Sequence, residues 1–158
     1  LPTVPGVAQM VRDMTRRWPT APIVIEEPDE KRAAFAAADL ALAASGTVSL
    51  ELAANRIPMV IGYDMAPLSR VIVGMLLRTD TVTLVNLVSD TREVPEFLGR
   101  NCQPGPLAQA LQTALEDPLA RKAQLDAMDL TMDRLGKGGE APGLRAARSV
   151  IRAVTEPR

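Results

Sequence analysis

The sequence predicts an α/β domain: a Rossmann-like parallel sheet flanked by helices, with a helical C-terminal tail. Three observations predict it. Short apolar runs of strand length alternate with helical patterns as far as residue 85. Beyond residue 105 the apolar residues recur only at helical spacing. The turn between two of the apolar runs, Ala44-Ser45-Gly46-Thr47, carries the residue types that open a helix beside a bound anion.

Taken in order, Leu1-Pro2-Thr3-Val4-Pro5 reads as the end of a strand, which suggests a piece of a longer chain. Val7 to Trp18 follows with helical periodicity, and Ala21 to Glu26 reads as a strand. Pro28 opens a helix with Asp29 and Glu30 in its first turn and an alanine-rich body to Ala38. Asp39–Ala43 is a strand, and a helix runs from about Thr47 to Asn55, stopped before Pro58. Pro58–Gly62 is the next strand, Pro67–Arg78 a long apolar helix, and Thr81–Val85 the last strand, with Asn86 at its end. Pro106 begins one tail helix and Asp117-Pro118 another. Gly136-Lys137-Gly138-Gly139 is a hinge before a final helix with Leu144, Ala147, Ile151 and Val154 on one face. The expected division is a nucleotide-binding domain over 1–118 and C-terminal helices over 119–158.

Composition narrows the function. The 158 residues suffice for one domain with a real core. Aromatic residues make up 3% and the net charge is −1, so neither base stacking nor a general electrostatic pull favours nucleic acid. The charge is uneven, −4 over residues 1–118 and +3 over the rest. Without histidine there is no His-based triad, and most zinc sites are ruled out. Cys102 stands alone, which rules out an internal disulfide and fits a cytosolic setting in which it is a structural thiol.

Ligands of doubly wound sheets bind outside the carboxyl ends of the strands. Three groups fall there by order: Ser45–Thr47, Tyr63 with Asp64, and Asn86. In the first, Gly46 permits close backbone approach, and the helix start offers N–H groups to a phosphate. Glu51 lies four residues past Thr47, on the same helix face and roughly 5–6 Å away at Cβ, placed to take ribose hydroxyls. The same residues also have plainer readings: an ordinary strand–helix connection, a solvated carboxylate, an Asn86 that caps a strand end, and a packed Tyr63. Glu96 reads either as a site residue or as a carboxylate at a helix N-terminus. Helix 67–78 is buried, or else an interfacial surface for acyl chains with Arg70 and Arg78 toward lipid phosphates.

Taken together, Leu1–Pro5, Ala44-Ser45-Gly46-Thr47 with Leu50-Glu51, Pro58-Met59-Val60 with Gly62-Tyr63, Val85-Asn86-Leu87, Val94-Pro95-Glu96-Phe97-Leu98 and Cys102-Gln103-Pro104 form an ordered set. This set resembles the C-terminal half of the lipid-A-disaccharide synthase family, inverting glycosyltransferases of GT-B architecture. The resemblance implies transfer of diacylglucosamine from UDP-diacylglucosamine to diacylglucosamine 1-phosphate, with release of UDP. It places Ser45, Gly46 and Thr47 at the diphosphate, Glu51 at the ribose and Asn86 near the donor; Tyr63 is a weaker donor contact at its strand end. It implies no metal and no cofactor, since N–H groups and a helix dipole stabilise the leaving diphosphate. The catalytic base and acceptor region of the family lie upstream, so no catalytic residue is expected in this chain, and the chain alone is expected to be inactive. The implied partners are the UDP-sugar lipid donor, the lipid acceptor and the inner-membrane surface of a Gram-negative bacterium, met peripherally from the cytoplasm. The hinge lets the last helix pack on its own domain, on the upstream half or on a second subunit, so a homodimer stays open.

Three single positions depart from the family pattern: Gly6, Asp64 and Gly99. The glycine-serine-arginine loop that opens the family's nucleotide domain is also absent. The alternatives are another UDP-N-acetylglucosamine-type transferase or epimerase of the same architecture, or a non-catalytic nucleotide-binding module.

Overall fold

The computed structural model describes residues 1–66 and 79–155. By its contacts the chain divides into two compact units, Leu1–Asp39 and Leu40–Arg158.

In the first unit, Pro5 starts helix α1 (Pro5–Thr15), where its fixed φ suits the first turn and its missing N–H goes unneeded. Ala8 and Thr15 are its buried residues, and the Thr15 hydroxyl bonds back to the Val11 carbonyl. Pro28 opens α2 (Pro28–Ala36) in the same way. The strand expected over Ala21–Glu26 reduces to one parallel bridge, Pro2 with Ile25, held by Thr3 N–H to Ile25 O and Ile25 N–H to Leu1 O. The pairing ends where the chain turns into α1 after Val4. Ile23 is accordingly left exposed.

The second unit is built on three parallel strands in the order β1 (Ala41–Ala43), β2 (Met59–Tyr63), β3 (Glu96–Leu98). The register pairs Ala41 with Met59 and Ile61 with Glu96. Helix α3 (Val48–Ala54) joins β1 to β2, and α4 (Leu84–Ser89) lies between β2 and β3. After a 3₁₀ turn over Gly99–Asn101 come α5 (Pro104–Glu116), α6 (Pro118–Arg134) and α7 (Pro142–Thr155). Met59, Val60 and Ile61 are fully buried at the centre, together with Ile57, Val85 and Met128. This is the apolar run that predicts a central parallel strand.

Helix α6 belongs to this packed body. The Asp117 carboxylate caps it by accepting from Leu119 N and Ala120 N. Its Thr131 hydroxyl donates to Val85 O in α4, and its Gln124 Oε1 accepts the Met59 N–H at the start of β2, 2.9 Å away. By contacts the chain divides at 39/40. Gln124→Leu is expected to cost about 1–2 kcal/mol by orphaning that buried N–H, read as a lowered urea midpoint with unchanged slope.

The structure corrects one strand. Thr81–Thr83 is irregular and runs into α4; the third strand is Glu96–Leu98. The β-branched run Thr81-Val82-Thr83 looks like a strand, but its N–H groups at 82 and 83 bond to a side-chain carboxylate instead of to a neighbouring strand. The apolar helix expected over 67–78, with its buried and interfacial readings, lies outside the described residues.

Candidate functional site

All three strands point the same way, so their carboxyl ends share one edge of the sheet. Ser45-Gly46-Thr47 follows β1 there, Tyr63 ends β2 with Asp64 just beyond it, and Gly99–Asn101 follows β3. Sequence order correctly brings the first two groups together.

In the first loop, Gly46 has φ +143°, a conformation that strains any residue with a side chain. A Cβ at this position would meet nothing within 4 Å, so the space beside it is open. The loop closes on itself through Ser49, whose N–H and hydroxyl both donate to Gly46 O. Leu50 N–H then bonds to Thr47 O. Among the described residues, the N–H groups of Gly46, Thr47 and Val48 have no acceptor. Thr47 occupies the N-cap position, yet its hydroxyl makes no capping bond and is exposed. Glu51 is exposed one turn later, on the face of Thr47. Together these groups offer donors for an anion with a carboxylate acceptor one turn away. Tyr63 is 40% exposed at the end of β2.

Ser45 does something different. Its hydroxyl donates to Val82 O, 3.3 Å away, tying the loop to the segment before α4. That segment is held by Glu96. The Glu96 carboxylate, on the first residue of β3, accepts from the Thr81 hydroxyl, Val82 N–H (3.1 Å), Thr83 N–H (2.8 Å) and Asn86 Nδ2 (3.2 Å). Burial acts to raise its pKa. The hydrogen bonds from Thr81 and from the loop N–H groups outweigh burial, and the carboxyl titrates below the ordinary glutamate value. Thr83 Oγ1 is buried beside this carboxylate without a hydrogen-bond partner among the described residues. Next to this cluster, Arg92 grips exposed Asp80 through two nitrogens, and its hydrogen bonding lowers the Asp80 pKa.

Asn86 sits in the first turn of α4, not at a strand end, and is 1% exposed. Its Nδ2 donates to Val94 O, Thr81 Oγ1 and Glu96; its Oδ1 accepts Val94 N–H. Both amide atoms are thus engaged inside the protein. Glu96, in turn, opens a strand and not a helix. Sequence reasoning missed its central place, because its partners stand 10–15 positions away with no periodic spacing to reveal them. Cys102 is half-buried and packs near Gly62, where an added Cβ would lie 3.5 Å from Sγ and 3.2 Å from Leu107. The described residues contain no cluster of three or more His, Cys, Asp or Glu suited to a metal.

Comparison with known proteins adds family evidence. Residues 10–142 match the model of a family described as lipid-A-disaccharide synthetase. A lipid-A-disaccharide synthase from Ruegeria pomeroyi is 52% identical over 96% of this chain and 39% of its own length. The enzymes of that name from Rhodospirillum centenum and Paramagnetospirillum magneticum are 42% and 44% identical over 99% and 96% of this chain. The chain spans about two fifths of the length of the curated relatives it matches.

Proposed function

The chain belongs to the lipid-A-disaccharide synthetase family, and from that premise we propose that it is the donor-nucleotide portion of a glycosyltransferase of lipid A synthesis. The intact enzyme moves diacylglucosamine from its UDP ester to diacylglucosamine 1-phosphate. The acceptor hydroxyl attacks the anomeric carbon from the face opposite UDP, and the configuration inverts. A general base from the part of the protein outside this chain takes the hydroxyl proton. The residues present here stabilise UDP as its bond to the sugar breaks, so the chain alone carries no transferase activity.

The observation that carries this reading is the Gly46 loop, with open space and unengaged N–H groups at the carboxyl edge of the sheet. The N–H groups of Gly46, Thr47 and Val48 and the Thr47 hydroxyl receive the diphosphate, and Glu51 accepts from the ribose hydroxyls. Asn86, with its amide engaged, acts as a positioning residue through Glu96 and Val82 O, which anchors Ser45. Tyr63 borders the donor at the end of β2. The substrates are lipids, so the enzyme works at the inner-membrane surface, which it meets peripherally.

The test is calorimetric titration of UDP into the intact enzyme. Glu51→Ala is expected to weaken UDP about tenfold, the loss of about one charge-assisted hydrogen bond. Unchanged affinity would remove the ribose assignment.

A further inference from the structure

Glu96 reaches the Gly46 loop through a single peptide plane. The carbonyl of Val82 and the N–H of Thr83 belong to one peptide unit, which is trans like the others among the described residues. Such a unit is planar and rigid, and its C=O and N–H point in opposite directions. Here the N–H donates to Glu96 Oε1 at 2.8 Å, and the C=O accepts from the Ser45 hydroxyl at 3.3 Å. The preceding peptide is fixed as well, since Val82 N–H donates to the other oxygen, Oε2, at 3.1 Å. Glu96 itself stands on the sheet. It is in register with Ile61 of β2, whose N–H bonds to Pro95 O at 2.9 Å. The Gly46 loop is thus braced to the sheet twice, once by the chain leaving β1 and once through Glu96. A hydroxyl has one hydrogen, and Ser45 gives its own to Val82 O, so none is left for a phosphate oxygen.

We infer that Glu96 is a positioning residue of the nucleotide site. Its two carboxylate oxygens set the tilt of the 82–83 peptide, which holds Ser45 and the N–H groups of the Gly46 loop where they meet the diphosphate. Ser45 is the peg of this brace and not a phosphate donor. The bond to a carboxylate polarises the peptide and makes Val82 O the better acceptor. A glutamine at 96 would offer one acceptor oxygen and an NH2 group that only donates. One of the two N–H groups, at 82 or 83, would then lose its partner, and the plane would turn. The inference rests on the donor reading of the Gly46 loop and adds the residue that sets the geometry of that loop.

The experiment titrates the intact enzyme with UDP, by calorimetry, and with uridine, which lacks the diphosphate, by ligand-observed NMR. Glu96→Gln is expected to weaken UDP about tenfold and to leave uridine unchanged within about twofold. Ser45→Ala, which removes only the peg, is expected to weaken UDP about fivefold. The double variant should bind UDP within about twofold of Glu96→Gln, because both changes cut one bridge; independent effects would multiply to about fiftyfold. Equal losses for UDP and uridine, or losses that multiply, would overturn the inference and leave Glu96 a structural residue. If Glu96→Gln does not fold, Ser45→Ala decides alone, and wild-type UDP affinity in that variant overturns the brace. Gly46→Val separates this failure from failure of the donor reading. UDP binding lost in Gly46→Val but kept in Glu96→Gln removes the brace and keeps the loop. UDP binding kept in both removes the loop from the site, and the brace with it.

Discussion

Glu96→Ala is expected to destabilise the intact protein by about 3–4 kcal/mol, read as a melting temperature lower by roughly 10 °C. The change deletes an acceptor shared by four donors. Thr81, Thr83 and Asn86 are almost wholly buried, so water cannot easily replace the carboxylate. Glu96→Gln keeps the shape but offers one neutral acceptor oxygen in place of two charged ones, and should cost about half as much. The pH dependence has a definite sign. The native pKa is lowered, so the carboxylate's contribution is fully present above the unfolded value of about 4.3 and is lost as pH falls through the lower native value. The stability gap between wild type and Glu96→Gln should therefore be constant above about pH 5.5 and narrow below about pH 4.3. A gap that does not change down to pH 3 would mean that Glu96 is protonated, or unbonded, in the folded protein.

Gly46→Val should weaken UDP binding by about 100-fold, while the protein still folds. At φ +143° a β-branched residue carries strain of about 1–3 kcal/mol. The loop can relax only by moving the N–H groups of Gly46 and Thr47 off the positions proposed to meet phosphate. The new side chain meets no protein atom at its Cβ, so it projects into the open space where the diphosphate would lie. Gly46→Ala, with less bulk, should lose about tenfold. Titration of UDP into each variant decides the matter: wild-type affinity in Gly46→Val would detach this loop from the donor altogether.

The contrast between these two positions explains what can be read in the sequence. Strands β1 and β2 are legible because their residues form unbroken apolar runs, and Met59–Ile61 are indeed wholly buried. The turn at Gly46 is legible because a glycine among hydroxyl residues, between an apolar run and a helical pattern, marks the start of a helix. Strand β3 is not legible: it has three residues, all half-buried, and opens with a glutamate. Thr81–Thr83 misleads for the complementary reason, since its β-branched residues suit a strand while its N–H groups at 82 and 83 belong to Glu96. Asn86 is expected beside the ligand because it follows an apolar run, but that run continues as a helix and turns the amide inward. Local pattern reports which way a segment is buried. It does not report a carboxylate arriving from another part of the chain.

The Glu96 cluster also sets an order of assembly during synthesis. The Gly46 loop leaves the ribosome first, and the segment that steadies it through Val82 follows some 35 residues later. Neither can settle until Glu96 has emerged, and β2 still lacks the Gln124 acceptor for its first N–H until most of α6 has been made. At roughly 5–20 residues per second, the nascent chain spends several seconds with its anion loop formed in sequence but not in space. In that interval β2 presents an unpaired edge on the side that β3 later occupies. The part of the molecule proposed to grip the nucleotide therefore stays unsettled until Glu96 has been made, and a pause in translation before residue 96 would lengthen its exposure to chaperones and to misassembly.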